Sequence, residues 1–248
     1  MIIELRAKNC FSFEEQIIFS MKADMRNKKF SSNVHKENNF NVLKTVGVYG
    51  PNNAGKTCLV KCIHAIKCIL LNKKPNIAPN LFTQNTICEL GITFLAGGKK
   101  FSYDLHYDVK SEKFLYEKFV EILKDQYGNE KEVLWLEKDT KAQQYYCIDE
   151  KMHLMMPFVS SNNLLCYVID ASKFEDLAKI KGIIVEFAQK IDVINMNNIP
   201  MKKTIDLMKN KDGMQEKVVS FVKNADLYMD NFEYERKIHG ADSIGFNV

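Results

Sequence analysis

Leu43-Lys44-Thr45-Val46-Gly47-Val48-Tyr49-Gly50-Pro51-Asn52-Asn53-Ala54-Gly55-Lys56-Thr57-Cys58 is the stretch that decides how the chain folds. Its first part, Leu43 to Tyr49, reads as a compact apolar strand. Gly50 to Thr57 then satisfies each fixed position of G-x-x-x-x-G-K-[ST]. Beyond it, Leu59, Cys62, Ile63, Ile66, Ile69 and Leu70 recur at three- and four-residue intervals, which predicts an amphipathic helix packed on a sheet. Strand, glycine loop and helix in that order predict an α/β fold of the P-loop NTPase kind. The glycines let the backbone curl so that successive N–H groups aim at phosphate oxygens, and the helix N-terminus adds partial positive charge. Lys56 is expected to reach the β- and γ-phosphates and Thr57 to place its hydroxyl on Mg²⁺. ATP with Mg²⁺ is the expected ligand pair, held by Gly50, Pro51, Asn52, Asn53, Ala54, Gly55, Lys56, Thr57 and Cys58. The bland alternative is a glycine turn that merely joins strand to helix, and the matched flanks count against it.

On the N-terminal side, Ile2 to Ala7 and Gln16 to Met21 read as an antiparallel hairpin. The polar run Lys22 to Asn41 reads as a long surface connection. On the C-terminal side, Ile87 to Ile148 reads as an antiparallel β-meander, with aromatic-rich runs punctuated by Gly97-Gly98, Lys110-Ser111-Glu112-Lys113 and Tyr127-Gly128-Asn129. Later segments predict a strand at Leu164 to Ile169, a helix at Phe174 to Lys190, a short strand at Val193-Ile194 and a final helix from Met214 to Ala225. An alternating run through Phe232 and Tyr234 closes the series.

Composition narrows the class. With 46% hydrophobic and 27% charged residues, 16 Phe and only 5 Pro, the 248-residue chain carries enough apolar material to fold rather than stay disordered. A net charge of +4 is mild, so nucleic-acid contact gains little support from charge alone. The N-terminal alternation of charged and apolar residues is unlike a secretory leader, and no run has the uncharged length of a membrane span, which predicts a cytoplasmic protein without membrane contact. Seven Cys, without paired CxxC spacing, suit reduced thiols. Cys58, Cys62, His64 and Cys68 lie close in sequence, but on one helix His64 points away from Cys62. Small buried thiols are therefore expected there rather than zinc.

Hydrolysis needs a carboxylate on a second strand to hold Mg²⁺ and orient water. Two places offer one: Asp149 with Glu150 after Tyr145-Tyr146-Cys147-Ile148, and Asp170 after Leu164 to Ile169. Acidic residues also commonly open turns, which is the competing reading for Asp149 and Glu150.

The opening Ile2-Ile3-Glu4-Leu5-Arg6-Ala7-Lys8-Asn9-Cys10-Phe11-Ser12-Phe13, taken with Val48 to Thr57, resembles the ABC-like ATPases of the RecF, SMC and OLD grouping. More narrowly, it looks like the AAA-type ATP-binding proteins encoded with bacterial anti-phage and abortive-infection systems. Asn9, Ser12, Phe13, Asn52 and the glycine loop match that pattern, while Cys10 and Phe11 stand where the family has Phe and Arg. The resemblance implies an ABC-like ATPase head over residues 1–248, with 1–150 as loop core and meander and 151–248 as a mixed helical insert and returning strand. It implies the N-terminal portion of such a head, because the family's signature motif, Walker B, D-loop and switch His have no counterpart before Val248; Ser243-Ile244-Gly245 is too short to be the signature. It further implies a homodimer or hetero-assembly through paired heads, and a nuclease or other effector acting in phage defence or DNA maintenance. The competing expectation is a nucleotide-binding module without turnover, and a DNA-contacting scaffold is a third.

Overall fold

The computed structural model describes residues 1–26, 29–38, 40–125, 128–168, 173–194, 206, 210, 213–224, 231–236 and 242–247. The chain divides into two compact units, Met1–Val193 and Ile194–Val248. The first unit is mixed α/β and is built on a seven-stranded antiparallel sheet. In chain order its elements are β1 (Ile2–Lys8), β2 (Ile17–Ser20), β3 (Val34–Glu37), β4 (Phe40–Leu43), α1 (Lys56–Leu70), β5 (Ile87–Ala96), β6 (Lys99–Asp108), β7 (Lys113–Lys124), β8 (Glu130–Asp139), β9 (Gln144–Cys147), α2 (Glu150–Met155), α3 (Leu165–Val168) and α4 (Glu175–Gln189). The sheet runs β2-β1-β5-β6-β7-β8-β9, so the hairpin and the meander join where β1 pairs with β5. The second unit contains α5 (Met214–Asn224) and a hairpin of β10 (Asn231–Arg236) with β11 (Asp242–Asn247).

Side chains alternate across a strand, so register assigns each residue to a face. Leu5, Ile92, Tyr103, Phe119, Leu136 and Cys147 are successive partners across six strands, and all are buried. This row is the floor of the core. Helix α1 sets Cys62, Ala65, Ile66, Ile69 and Leu70 into it, and α4 adds Leu177, Ile180, Ile184, Phe187 and Ala188. Phe187 stacks on Phe94 with ring centroids 4.0 Å apart. Large side chains buried in this way each contribute about 1.5–3 kcal/mol.

The neighbouring row, Arg6, Gly91, Asp104, Lys118, Glu137 and Tyr146, lies on the opposite face and is polar. There the Arg6 guanidinium donates to Asp104, Glu4, Thr93 and Ser102 at 2.7 to 3.2 Å. A Cβ on Gly91 would lie 2.2 Å from Asp104 Oδ1, so that ion pair needs glycine between its partners.

On the core face, Glu117 and Lys138 are direct cross-strand partners, and both are fully buried. Glu117 accepts the Tyr103 hydroxyl at 2.9 Å and the Leu165 N–H at 3.1 Å, tying α3 to the sheet. Among the described residues Lys138 Nζ has no hydrogen-bond partner. Burial raises the Glu117 carboxyl and lowers the Lys138 ammonium, each shift opposed by the charge of the other.

Several expectations need correction. The strand expected at Leu43 to Tyr49 is absent: only Leu43 belongs to one, at the end of β4, and residues 45–50 have no regular structure. Extended backbone becomes a strand only with a partner strand to bond, and among the described residues no strand pairs with Thr45 to Tyr49, the Thr45 N–H and carbonyl being taken by the Asn33 side chain. The connection from Lys22 to Asn41 instead holds the β3–β4 hairpin, whose Phe40 and Val42 form a satellite cluster with Ile3 and Leu95. Leu165 to Val168, read as strand, is a helical turn; Ile169 and Asp170 lie outside the described residues. No strand forms at Val193-Ile194. Among the described residues no helix is long and apolar enough to cross a membrane.

Candidate functional site

The glycine loop Gly50–Gly55 leads directly into α1, whose first residue is Lys56. Gly55 occupies the N-cap in a left-handed conformation, φ 85°, and supplies no side chain to bond the first N–H groups. No acidic residue sits in the first turn of α1. An uncapped helix start without a carboxylate leaves orphan N–H donors and the positive end of the dipole facing outward, which suits an anion. Asn53 takes the left-handed region too, φ 66°, and Ala54 N bonds the Pro51 carbonyl at 3.3 Å, curling the loop. Lys56 folds back over it, donating to the carbonyls of Gly50 at 2.8 Å and Pro51 at 2.6 Å. Pro51, Asn52, Asn53, Ala54 and Thr57 are exposed and Cys58 is half-buried, so the loop and the Thr57 hydroxyl are open to a ligand.

The β1–β2 turn braces this loop. A Cβ added to Gly55 would lie 2.8 Å from Phe13 Cε1 and 3.2 Å from Ser12 Oγ, so the tip of the turn touches the glycine. Cys10 and Phe13 exchange backbone bonds at 2.9 Å, closing the turn. Asn9, buried at φ 51°, anchors it from below. Its amide donates to the carbonyls of Asn85 and Ile87, and its oxygen accepts from Asn80 N and Thr83 Oγ1. Lys61, one turn into α1, places its ammonium 5.5 Å from the Phe11 ring. The Ser12–Phe13 tip adjoins the loop although the G-x-x-x-x-G-K-[ST] pattern does not contain it. The only sequence sign of the brace is the Asn9-to-Phe13 run, with an Asn able to take a positive φ at its start.

Asp149 and Glu150 are not brought to the loop. Asp149 is the N-cap of α2, its Oδ1 accepting from Met152 N at 3.1 Å, and Glu150 lies in the first turn of that helix. They follow β9, at the edge of the sheet away from the β1–β2 turn. The hairpin whose tip touches Gly55 is at the other edge of that sheet. Asp149 thus does the turn-opening work that acidic residues do at helix starts, and Glu150 adds negative charge to the same first turn.

Among the described residues no three His, Cys, Asp or Glu side chains converge on a metal position. Cys62 is buried and His64 exposed, while Cys58 and Cys68 are only half-buried, so of the α1 thiols Cys62 alone points into the core. Cys10 lies beside Cys62 and Cys88, and these neighbours together with burial hold its thiol well above the ordinary range, so it stays protonated. What fits Mg²⁺ here is the Thr57 hydroxyl together with oxygens that a bound phosphate would bring. Compared with known proteins, the chain matches no family model and no curated protein.

Proposed function

We propose that the chain binds a nucleoside triphosphate, ATP with Mg²⁺, at Gly50–Thr57. The observation that carries this reading is the uncapped start of α1 at Gly55–Lys56, with the Lys56 ammonium held over a curled glycine loop. In this reading the loop N–H groups and Lys56 hold the β- and γ-phosphates, Thr57 positions the metal, and Ser12 and Phe13 fix the loop from behind. The likeness of the opening hairpin and loop to ABC-like ATPase heads supports a P-loop NTPase architecture. It also supports a role in which nucleotide state controls an effector in phage defence or DNA maintenance.

A second reading has its own support. Asp149, the carboxylate that follows β9, is spent on capping α2, which favours a module that holds nucleotide without turning it over unaided. Turnover of ATP measured across a range of protein concentrations separates the two. Activity rising more steeply than concentration supports a head completed by assembly. Saturable binding without turnover at any concentration supports the holding module. Absence of both binding and turnover overturns the proposal.

A further inference from the structure

A cavity of about 540 Å³ opens at the far end of α1, the end away from the glycine loop. Helix α1 spans 15 residues, so the two places are about 21 Å apart. Three segments wall the cavity: the turn after α1, the β6–β7 turn and the loop preceding α3.

Each wall is locked in place. Helix α1 ends in a left-handed Asn72, φ 55°, with Asn72 N bonded to Ile69 O at 3.0 Å and Lys73 N to Cys68 O at 2.8 Å, which is a Schellman cap. The β6–β7 turn is tied to Asp108, which accepts from Thr86 Oγ1, Ser111 Oγ and Lys110 N. Phe114 N bonds Ser161 O at 2.7 Å and so joins the turn to the third wall. A cavity whose walls are fixed before a ligand arrives loses little ordering entropy on binding.

Its lining is chemically mixed in a particular way. The floor is apolar, made by Ile69 and the Tyr107–Phe114 ring pair, whose centroids are 5.0 Å apart. At the rim stand Lys73, Lys74 and Lys110 against one carboxylate, Glu112. Glu112 is taken by Lys74, and neither Lys73 nor Lys110 has a carboxylate partner among the described residues. The side-chain amides of Asn72, Asn162 and Asn163 line the same rim and likewise carry no hydrogen bond among the described residues. Two free ammonium groups call for an anion, the floor for an apolar ring, and the amides for a ligand with polar edges.

We propose that this cavity binds a phosphate-bearing metabolite of nucleotide size, its phosphate between Lys73 and Lys110 and its ring over the Tyr107–Phe114 floor. The site is separate from the glycine loop and does not depend on that loop binding nucleotide.

The test uses the full chain carrying Lys56→Ala, which removes the loop's principal phosphate contact, with binding of AMP, pyrophosphate and a single-stranded oligonucleotide followed by calorimetry without Mg²⁺. The proposal expects saturable AMP binding in this background. It expects that affinity to fall at least about tenfold when Lys73→Glu and Lys110→Glu are combined, since two charge-assisted contacts become repulsive. Asn163→Trp, which fills the cavity without changing charge, should weaken AMP as well, and thermal melts confirm that both variants fold. AMP binding that is absent, or indifferent to both variants, overturns the site. Pyrophosphate binding as tightly as AMP overturns the ring contact. Binding of the oligonucleotide alone overturns the small ligand in favour of nucleic acid.

Discussion

Gly55→Ala tests the loop geometry on which the nucleotide site rests. At φ 85° an alanine meets its own backbone, a penalty of about 1–2 kcal/mol for a residue forced into the left-handed region. The new methyl group would also lie 2.8 Å from Phe13 Cε1, inside contact distance. Pushing a ring aside in a packed place adds about 1–2 kcal/mol more. The total expected loss is thus about 2–4 kcal/mol of unfolding free energy. Urea denaturation of the nucleotide-free protein reads it directly, and repeating the substitution on a Phe13→Ala background divides it. There the ring contact is gone, the Ser12 hydroxyl at 3.2 Å can rotate aside, and mainly the conformational part, about 1–2 kcal/mol, should remain. Equal losses in the two backgrounds would mean that Phe13 does not press on Gly55. A loss under about 0.5 kcal/mol in the wild-type background would refute the left-handed N-cap itself.

Asn9→Ala removes side-chain bonds to Asn80, Thr83, Asn85 and Ile87 and places alanine at φ 51°, so urea melts should show a loss of about 2–4 kcal/mol. Asp149→Ala should cost about 1 kcal/mol through the lost cap of α2, and neither it nor Glu150→Ala should change ATP affinity in a titration. The buried Glu117–Lys138 pair predicts a stability profile with two opposite limbs. The Glu117 carboxyl is raised above its ordinary 4.5, so the folded state holds the extra proton and stability falls as pH climbs past that value. The Lys138 ammonium is lowered below its ordinary 10.5, so the unfolded state holds the extra proton and stability recovers as pH climbs toward 10.5. Glu117→Gln combined with Lys138→Met should flatten both limbs in melts taken across pH.

Much of the first unit is legible from residue pattern because its elements are long and two-faced. Helix α1 follows from the spacing of Cys62, Ile66, Ile69 and Leu70, which are the side chains it buries. The meander follows from runs such as Phe101 to Tyr107, whose alternate members Phe101, Tyr103, Leu105 and Tyr107 enter the core. Short elements behave differently. Leu165 to Val168 is an unbroken apolar run too brief to show a period, so strand and helical turn look alike until Leu165 N finds Glu117. Val34-His35-Lys36-Glu37 carries so little apolar material that its strand follows from pairing with β4, a long-range fact absent from the local pattern. Thr45 to Tyr49 is the converse case: β-favouring residues, but Val48 and Tyr49 are exposed and join no strand among the described residues. At the loop, the motif locates Gly50 to Thr57 from sequence alone. The brace from Ser12 and Phe13 depends on the turn between β1 and β2 returning to Gly55, a contact across more than 40 residues of chain.

The most direct test of the account is calorimetric titration of Mg-ATP into the wild-type chain and into Lys56→Ala. Binding at a single class of loop sites in the wild type, weakened at least about tenfold by the substitution while the thermal melt of the free protein stays unchanged, is the predicted result. Equal affinity in the two proteins, or no binding by the wild type, would contradict the assignment of Gly50–Thr57 as a nucleotide site.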